Sequence, residues 1–293
     1  MGGSGNAPNI ESGVQIYRCP SYGKINLRLA VLKKRKDGYH EVNTLLTRIS
    51  LRDEVEIELK GEGIKVNCSG SKAPEGEDNL AYQAARIFLS QAGKEAGVEV
   101  RIHKRIPVSA GLGGGSSNAA AALVGLNELF HRPFTDRDLM KMGAELGADD
   151  PFFIFKGPAL AFGKGDRLKR ARELPHFWLL MVVPPFQVST AGVYAQWSAE
   201  STRRRYEGVT NFHGRLEVVL SGLRNDLEKV VLDWHPELEE IKERLLSLGA
   251  LGSLMSGSGG TVYGIFPDET RAAEAGTRLP LEAGWCSFLV HNL

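Results

Sequence analysis

Four glycines within five positions, Gly111, Gly113, Gly114 and Gly115, followed at once by Ser116, Ser117 and Asn118, constrain this chain more than any other stretch. Upstream, Val98, Val100 and Ile102 alternate with polar residues, the period of a half-buried strand. Downstream, Ala119 to Ala122 run into Leu123, Leu126, Leu129 and Phe130, the spacing of an apolar helix face. A turn needs one or two glycines. This stretch instead supplies backbone that can take positive φ and lie bare against a ligand, at a helix start whose free N–H groups carry partial positive charge. Polyphosphate suits such a place, with the Ser and Asn side chains capping the helix or touching phosphate or metal. A plain capped linker is the simpler reading of any glycine-rich segment, and the glycine count argues against it here. No Lys-Ser or Lys-Thr pair closes a P-loop, and Ser116 falls where a dinucleotide fingerprint needs its last glycine.

The 293 residues are long for one core and suit two α+β domains, with a boundary expected near Arg172. Hydrophobic residues at 42% and charged residues at 24% are ordinary for a globular protein. A net charge of +1 argues against a nucleic-acid partner. Cys19, Cys68 and Cys286 are far apart and odd in number, so neither a disulfide framework nor a zinc site is expected, and a reducing, cytoplasmic setting is the default. The apolar run Phe177 to Phe186 is too short for a membrane span and contains Pro184 and Pro185; it reads as a buried strand. Met1 to Gly13 lacks the pattern of a signal or transit peptide and reads as a flexible leader.

Along the chain, Ile25, Leu27, Leu29 and Val31 form an alternating strand with Lys24 at its mouth and Asn26 on the opposite face from Ile25. The basic run Lys33 to Lys36 reads as a solvated hairpin tip closed by Asp37-Gly38. Tyr39 and His40 fit that reading less well, because an aromatic ring and an imidazole after a turn suit stacking on a planar ring. Asp78 or Asn79 is expected to cap a helix through Leu80, Ala84, Ile87 and Phe88. His103, Lys104 and Arg105 end the strand that enters the glycine stretch, which makes Lys104 an ATP-contact candidate. Thr135 with Asp138 makes a capping box. In Asp149-Asp150-Pro151, proline favours the first helical position, so Asp150 is expected to cap and Asp149 to be spare for proton abstraction. The second half reads as a strand at Trp178 to Val183, a helix with Val193 and Tyr194, helices at Leu223 to Val231 and Pro236 to Leu248, and two strands flanking the second glycine turn, Ser256 to Gly260. A helix near Arg271 and a strand near Phe288 complete it.

GKINLRLAV, DGYHEVNT, PVSAGLGGGSSNAAAAL, GADDPFF, the NDLE of Asn225 to Glu228 and MSGSGGTVYGIF occur in order from Pro20 onward. Together they resemble the galactokinase, homoserine kinase, mevalonate kinase and phosphomevalonate kinase (GHMP) superfamily. The resemblance implies an N-terminal ribosomal-protein-S5-like domain over residues 14–172, a ferredoxin-like domain over 173–293, and a site in the cleft between them. It implies an ATP- and Mg²⁺-dependent kinase of the non-mevalonate isoprenoid route whose acceptor is a cytidine diphosphate ester of methylerythritol. Such an enzyme would work as a monomer or weak homodimer with no nucleic-acid or membrane partner. Pro107, Gly111, Leu112, Gly113, Gly114, Gly115, Ser116, Ser117 and Asn118 would hold ATP, with Lys104 and Asn79 nearer the nucleoside and Ser116 or Ser117 on the metal. Asp149 would be the base and Lys24 its stabilising partner. Asn26, Thr190, Tyr39, His40 and Tyr194 would hold the acceptor, and Ser256, Gly257, Ser258 and Gly259 would close over it. Tyr22 and Gly23 replace the proline and small residue usual before the lysine, and Asp150 stands where an apolar or small residue is usual. Two rival readings are a mevalonate- or homoserine-type kinase, which would not need Tyr39, His40 and Tyr194, and a non-catalytic or RNA-binding relative, which would not need Lys24 and Asp149.

Overall fold

The computed structural model describes residues 9–11, 14–70, 73–197 and 214–293. Arg203 to Arg205 and most of the Met1 to Gly13 leader lie outside them. The chain opens with strands β1 (Asn9–Glu11), β2 (Val14–Lys34), β3 (His40–Leu59) and β4 (Ile64–Ser69). Helix α1 (Leu80–Ala92), strand β5 (Val98–His103) and helices α2 (Gly114–Leu129), α3 (Asp136–Leu146) and α4 (Asp150–Phe155) follow. Next come β6 (Ala159–Gly163), β7 (Arg167–Arg170), β8 (Trp178–Val183), α5 (Thr190–Gln196), α6 (Leu216–Ser221), β9 (Arg224–Asn225) and α7 (Glu228–Trp234). The chain closes with α8 (Glu237–Ser247), β10 (Gly252–Met255), β11 (Val262–Phe266), α9 (Glu269–Arg278) and β12 (Cys286–His291).

These elements form two compact units, and the chain passes between them inside β2, inside β3, on either side of Ser109–Leu112, and at Gly157. The first comprises Met1–Gly23, Arg52–Val108 and Gly113–Lys156; the second comprises Lys24–Leu51, Ser109–Leu112 and Gly157–Leu293. The chain therefore leaves the first unit at Gly157, ahead of the Arg172 expected from composition, because β6 pairs with the Val42–Leu46 part of β3 and carries β7 with it.

In the first unit the Glu54–Leu59 part of β3 lies antiparallel to β5, and β5 lies parallel to β4 with α1 as the crossover. Val98, Val100 and Ile102 face inward in strict alternation, as their spacing predicts. The Asn79 side chain caps α1 and Gly93 ends it in the left-handed conformation. The four helices pack on one another around Phe88, Leu123, Leu126, Met142 and Phe152, all fully buried. Burying each such side chain stabilises the unit by about 1.5–3 kcal/mol. The capping box of Thr135 and Asp138 starts α3 as expected.

In the second unit β8 sits between β11 and β12 in an antiparallel sheet of order β10-β11-β8-β12. Leu179 to Val183 are all buried, which accounts for an unbroken apolar run in place of an alternating one. Leu180 and Val182 join Leu238, Ile241 and Leu245 of α8 and Ala272 and Ala275 of α9 in one core. The helix expected from Leu223 is a correction. Arg224 and Asn225 pair in parallel with Arg28 and Leu29 of β2, and helix resumes only at Glu228. Asp226 accepts the Val31 N–H at 3.0 Å and the Asn225 carboxamide accepts the Leu227 N–H at 3.0 Å, so these side chains satisfy strand and turn groups instead of extending a helix.

Candidate functional site

Within the first unit the glycine stretch enters α2 one residue after Gly113, whose φ of 69° is left-handed. The helix begins at Gly114, so Ser116, Ser117 and Asn118 lie inside it, and the expectation that one of them caps it is corrected. The backbone can turn this early because Gly113 supplies the left-handed residue a capping side chain would otherwise replace. Ser117 and Asn118 turn inward. The Ser21 hydroxyl donates to Ser117 at 2.7 Å, and the Asn118 amide donates to Ser21 at 2.8 Å and to Asp53 at 2.9 Å. Asp53 is fully buried, ion-paired with Lys104, and accepts the N–H groups of Arg105 and Ile106 at 2.7 and 2.8 Å. Lys104 also donates to the Asn118 carbonyl oxygen at 3.0 Å. The polar ends of Lys104 and Asn118 thus fix the entrance of the loop from below. Asn79 is similarly engaged, accepting from Ala81 N–H at 2.9 Å and donating to the Pro74 carbonyl at 2.7 Å. Asp53 and Ser21 carried no local sequence signal, since their partners lie 51 to 97 residues away.

The two adjacent carboxylates differ in placement, though not by the expected cap. Asp149 occupies the N-cap position with helical φ and ψ of −85° and −19°, Asp150 is the first residue of α4, and neither side chain caps it. The Phe152 N–H already bonds the Asp149 carbonyl at 3.1 Å, so the helix starts one residue earlier than proline placement suggested. Asp150 turns into the interior, is fully buried, and neither oxygen has a hydrogen-bond partner of normal geometry. Burial is the main cause that pushes its carboxyl up to about 7, with the Asp149 charge adding to the rise and the Ser116 hydroxyl opposing it.

Within the second unit the same loop meets the second glycine turn backbone to backbone. Gly111 has a φ of 80°, and a Cβ there would lie 2.4 Å from the Ser256 carbonyl oxygen. One on Gly259 would lie 2.5 Å from the Gly111 nitrogen. Ser256 and Thr261 donate to the Gly111 and Ala110 carbonyls at 3.2 and 2.6 Å. The Asn225 amide holds the turn by donating to the Met255 and Gly257 carbonyls at 2.9 and 2.7 Å. Lys24 is buried, its backbone N–H bonds the Leu112 carbonyl at 2.9 Å, and its ammonium donates to Asn26 at 2.7 Å. Asn26 donates onward to Thr44 at 2.8 Å. A recess of about 420 Å³ is lined by Ser109, Gly111, Gln187, Ser189, Thr190 and Gly259, and the Thr190 hydroxyl bonds that of Ser258 at 2.7 Å.

A second recess of this unit, about 320 Å³, is lined by Lys33, Lys34, His40, Tyr194 and Trp197 among others. Tyr194 stacks on His40 at 5.1 Å and Trp197 meets His40 edge-on at 5.6 Å. Burial, then the charge of Lys34, holds the His40 imidazole below its ordinary value, so at neutral pH it offers one donor and one acceptor. Tyr39 is not among the lining residues; it is 55% exposed, with the Lys164 ammonium over its ring at 5.3 Å. Trp197 was missed by sequence reasoning because a lone tryptophan after a helix reads as core.

Two family models match this chain: the GHMP kinases N terminal domain over residues 79–157 and the GHMP kinases C terminal over residues 210–283. A protein of Syntrophus aciditrophicus named 4-diphosphocytidyl-2-C-methyl-D-erythritol kinase is 46% identical over 93% of this chain and 98% of its own length. A crystal structure of 4-(cytidine 5'-diphospho)-2C-methyl-D-erythritol kinase superposes with a TM-score of 0.78 at 34% identity, covering 94% of this chain and 99% of that one. A homoserine kinase from Cytophaga hutchinsonii shares the fold at 17% identity and a TM-score of 0.74, covering 97% of this chain and 96% of that one. With its glycine loop, inward-facing lysine and ordered motifs, the chain belongs to the GHMP kinase family, alongside the members named 4-diphosphocytidyl-2-C-methyl-D-erythritol kinase.

Proposed function

We propose that this kinase transfers the γ-phosphoryl group of ATP to the 2-hydroxyl of 4-diphosphocytidyl-2-C-methyl-D-erythritol, in the non-mevalonate route to isoprenoid precursors. In the transfer a bond forms between the hydroxyl oxygen and the γ-phosphorus, the β–γ bridge breaks, and ADP leaves. The protein's part in such a reaction is to position the reactants and neutralise developing charge. Asp149 takes the hydroxyl proton, and Lys24 supplies positive charge, with its ammonium oriented by Asn26. Gly111 to Ser117 offer backbone N–H groups to the phosphates. Losing the Lys24 charge should cost on the order of a hundred-fold or more in turnover.

The observation that supports a cytidine-bearing acceptor over mevalonate or homoserine is the aromatic recess of His40, Tyr194 and Trp197 flanked by two lysines. Those groups suit a planar base with an anionic tail, and a small aliphatic alcohol needs none of them. Tyr39 would serve as an exposed wall for the base. Mg²⁺ would accompany ATP and shield its charge. Ser116 is the better of the two serines to face it, because Ser117 is buried against Ser21. Among the described residues no cluster of three or more His, Cys, Asp or Glu is arranged for a metal.

Phosphorus NMR of the purified protein with Mg²⁺, ATP and this acceptor tests the reading. A new phosphomonoester signal growing in step with ADP is expected; ADP without it, or no ADP at all, would overturn the assignment.

A further inference from the structure

We propose that Asp150 is an outer carboxylate of the divalent-cation site that serves ATP, acting through the Ser116 hydroxyl. The inference rests on the ATP-dependent reading above and adds a further residue to it. A carboxyl group buried with neither oxygen in a hydrogen bond of normal geometry is costly whether neutral or charged, so its position calls for a specific cause. The ordinary structural causes are absent. Asp150 does not cap α4, and no basic side chain among the described residues pairs with it.

Its surroundings instead point to the start of α2. A Cβ placed on Gly147 would lie 2.5 Å from Asp150 Oδ2 and 3.6 Å from Ser116 Oγ, so both oxygens face the same glycine. Gly143 gives the same clearance on the other side, where a Cβ would lie 3.2 Å from that of Asp150. Ser116 is half-buried and is the third residue of α2, where the N–H groups already favour anions. A serine hydroxyl that donates its proton to a carboxylate turns its lone pairs the other way and becomes a firmer ligand for a hard cation such as Mg²⁺. Carboxylates placed behind a ligand in this manner orient it and raise its basicity. Asp150 is thus a positioning residue and touches neither phosphate nor acceptor.

The test is Mn²⁺ titration followed by electron paramagnetic resonance, with the full chain saturated by a non-hydrolysable ATP analogue. Asp150→Asn and Asp150→Val are compared with Ser116→Ala and the Asp150→Asn/Ser116→Ala double variant. The valine fills the buried site with an apolar side chain, so one Asp150 variant keeps a comfortable interior. Both Asp150 variants should bind Mn²⁺ about 10–100-fold more weakly, with cation-free nucleotide affinity unchanged. The double variant should be no weaker than Ser116→Ala alone, because the two act as one unit. Wild-type Mn²⁺ affinity in both Asp150 variants, or additive losses in the double variant, overturns the inference and leaves the kinase reading standing. A wild-type protein that binds no nucleotide sinks both.

Discussion

Asp150 is a carboxyl group held in the interior at about 7, against an ordinary value of 3.8, chiefly by loss of water. Between those values the native state keeps a proton that the unfolded chain releases. Stability is therefore greatest below the lower value and declines as pH rises through the upper one, by on the order of 4 kcal/mol in total. Melting temperatures of wild type and Asp150→Asn, measured between pH 5 and pH 8 without nucleotide or cation, should diverge as pH rises, with the variant gaining on the wild type. Parallel curves would contradict the burial argument. Asp149→Asn should instead lose about a hundred- to ten-thousand-fold in turnover, measured as ADP release. The sequence made both residues conspicuous but misplaced the cap, because one residue of helix phase decides which of them turns inward. Asp53 was illegible for a different reason. Its four partners at residues 104, 105, 106 and 118 become neighbours only after β3 and β5 pair. Asp53→Asn should cost about 3–5 kcal/mol in urea unfolding, since it strands the buried Lys104 charge.

At the level of elements, the glycine loop divides into parts with distinct constraints. Gly111→Ala combines a left-handed backbone with a Cβ 2.4 Å from a carbonyl oxygen, so it should lower both melting temperature and ATP affinity. Gly115 is exposed and helical, and a Cβ there meets only Leu80 at 3.5 Å. Gly115→Ala should therefore stabilise the fold by about 0.5–1 kcal/mol while weakening ATP, whose phosphates need the bare backbone. Equal effects of the two substitutions in thermal melts and nucleotide titrations would contradict this division. Alternation and capping made β5, α1 and α3 readable, because those signals are local. The two-residue strand β9 was not readable. Its identity comes from β2, nearly 200 residues earlier, and its apolar neighbours Leu223, Leu227 and Val231 also fit a helical spacing.

For the whole molecule, the ordered motifs carried the family and the α+β class. They could not convey that Lys24–Leu51 and Ser109–Leu112 belong to the second compact unit. That follows from pairings such as Val42 with Gly163, which no linear boundary expresses. The loop and the lysine suit a family of kinases, whereas the recess of His40, Tyr194 and Trp197 is the feature that supports the proposed cytidine-bearing acceptor. The most direct measurement is the specificity constant for ADP release with diphosphocytidyl-methylerythritol, the same sugar phosphate lacking cytidine, mevalonate and homoserine, with Asp149→Asn as control. Turnover with the cytidine-bearing acceptor alone, lost in the control, is the predicted result. Comparable turnover without the cytidine, or with mevalonate or homoserine, would contradict the assignment of the aromatic recess and with it the proposed substrate.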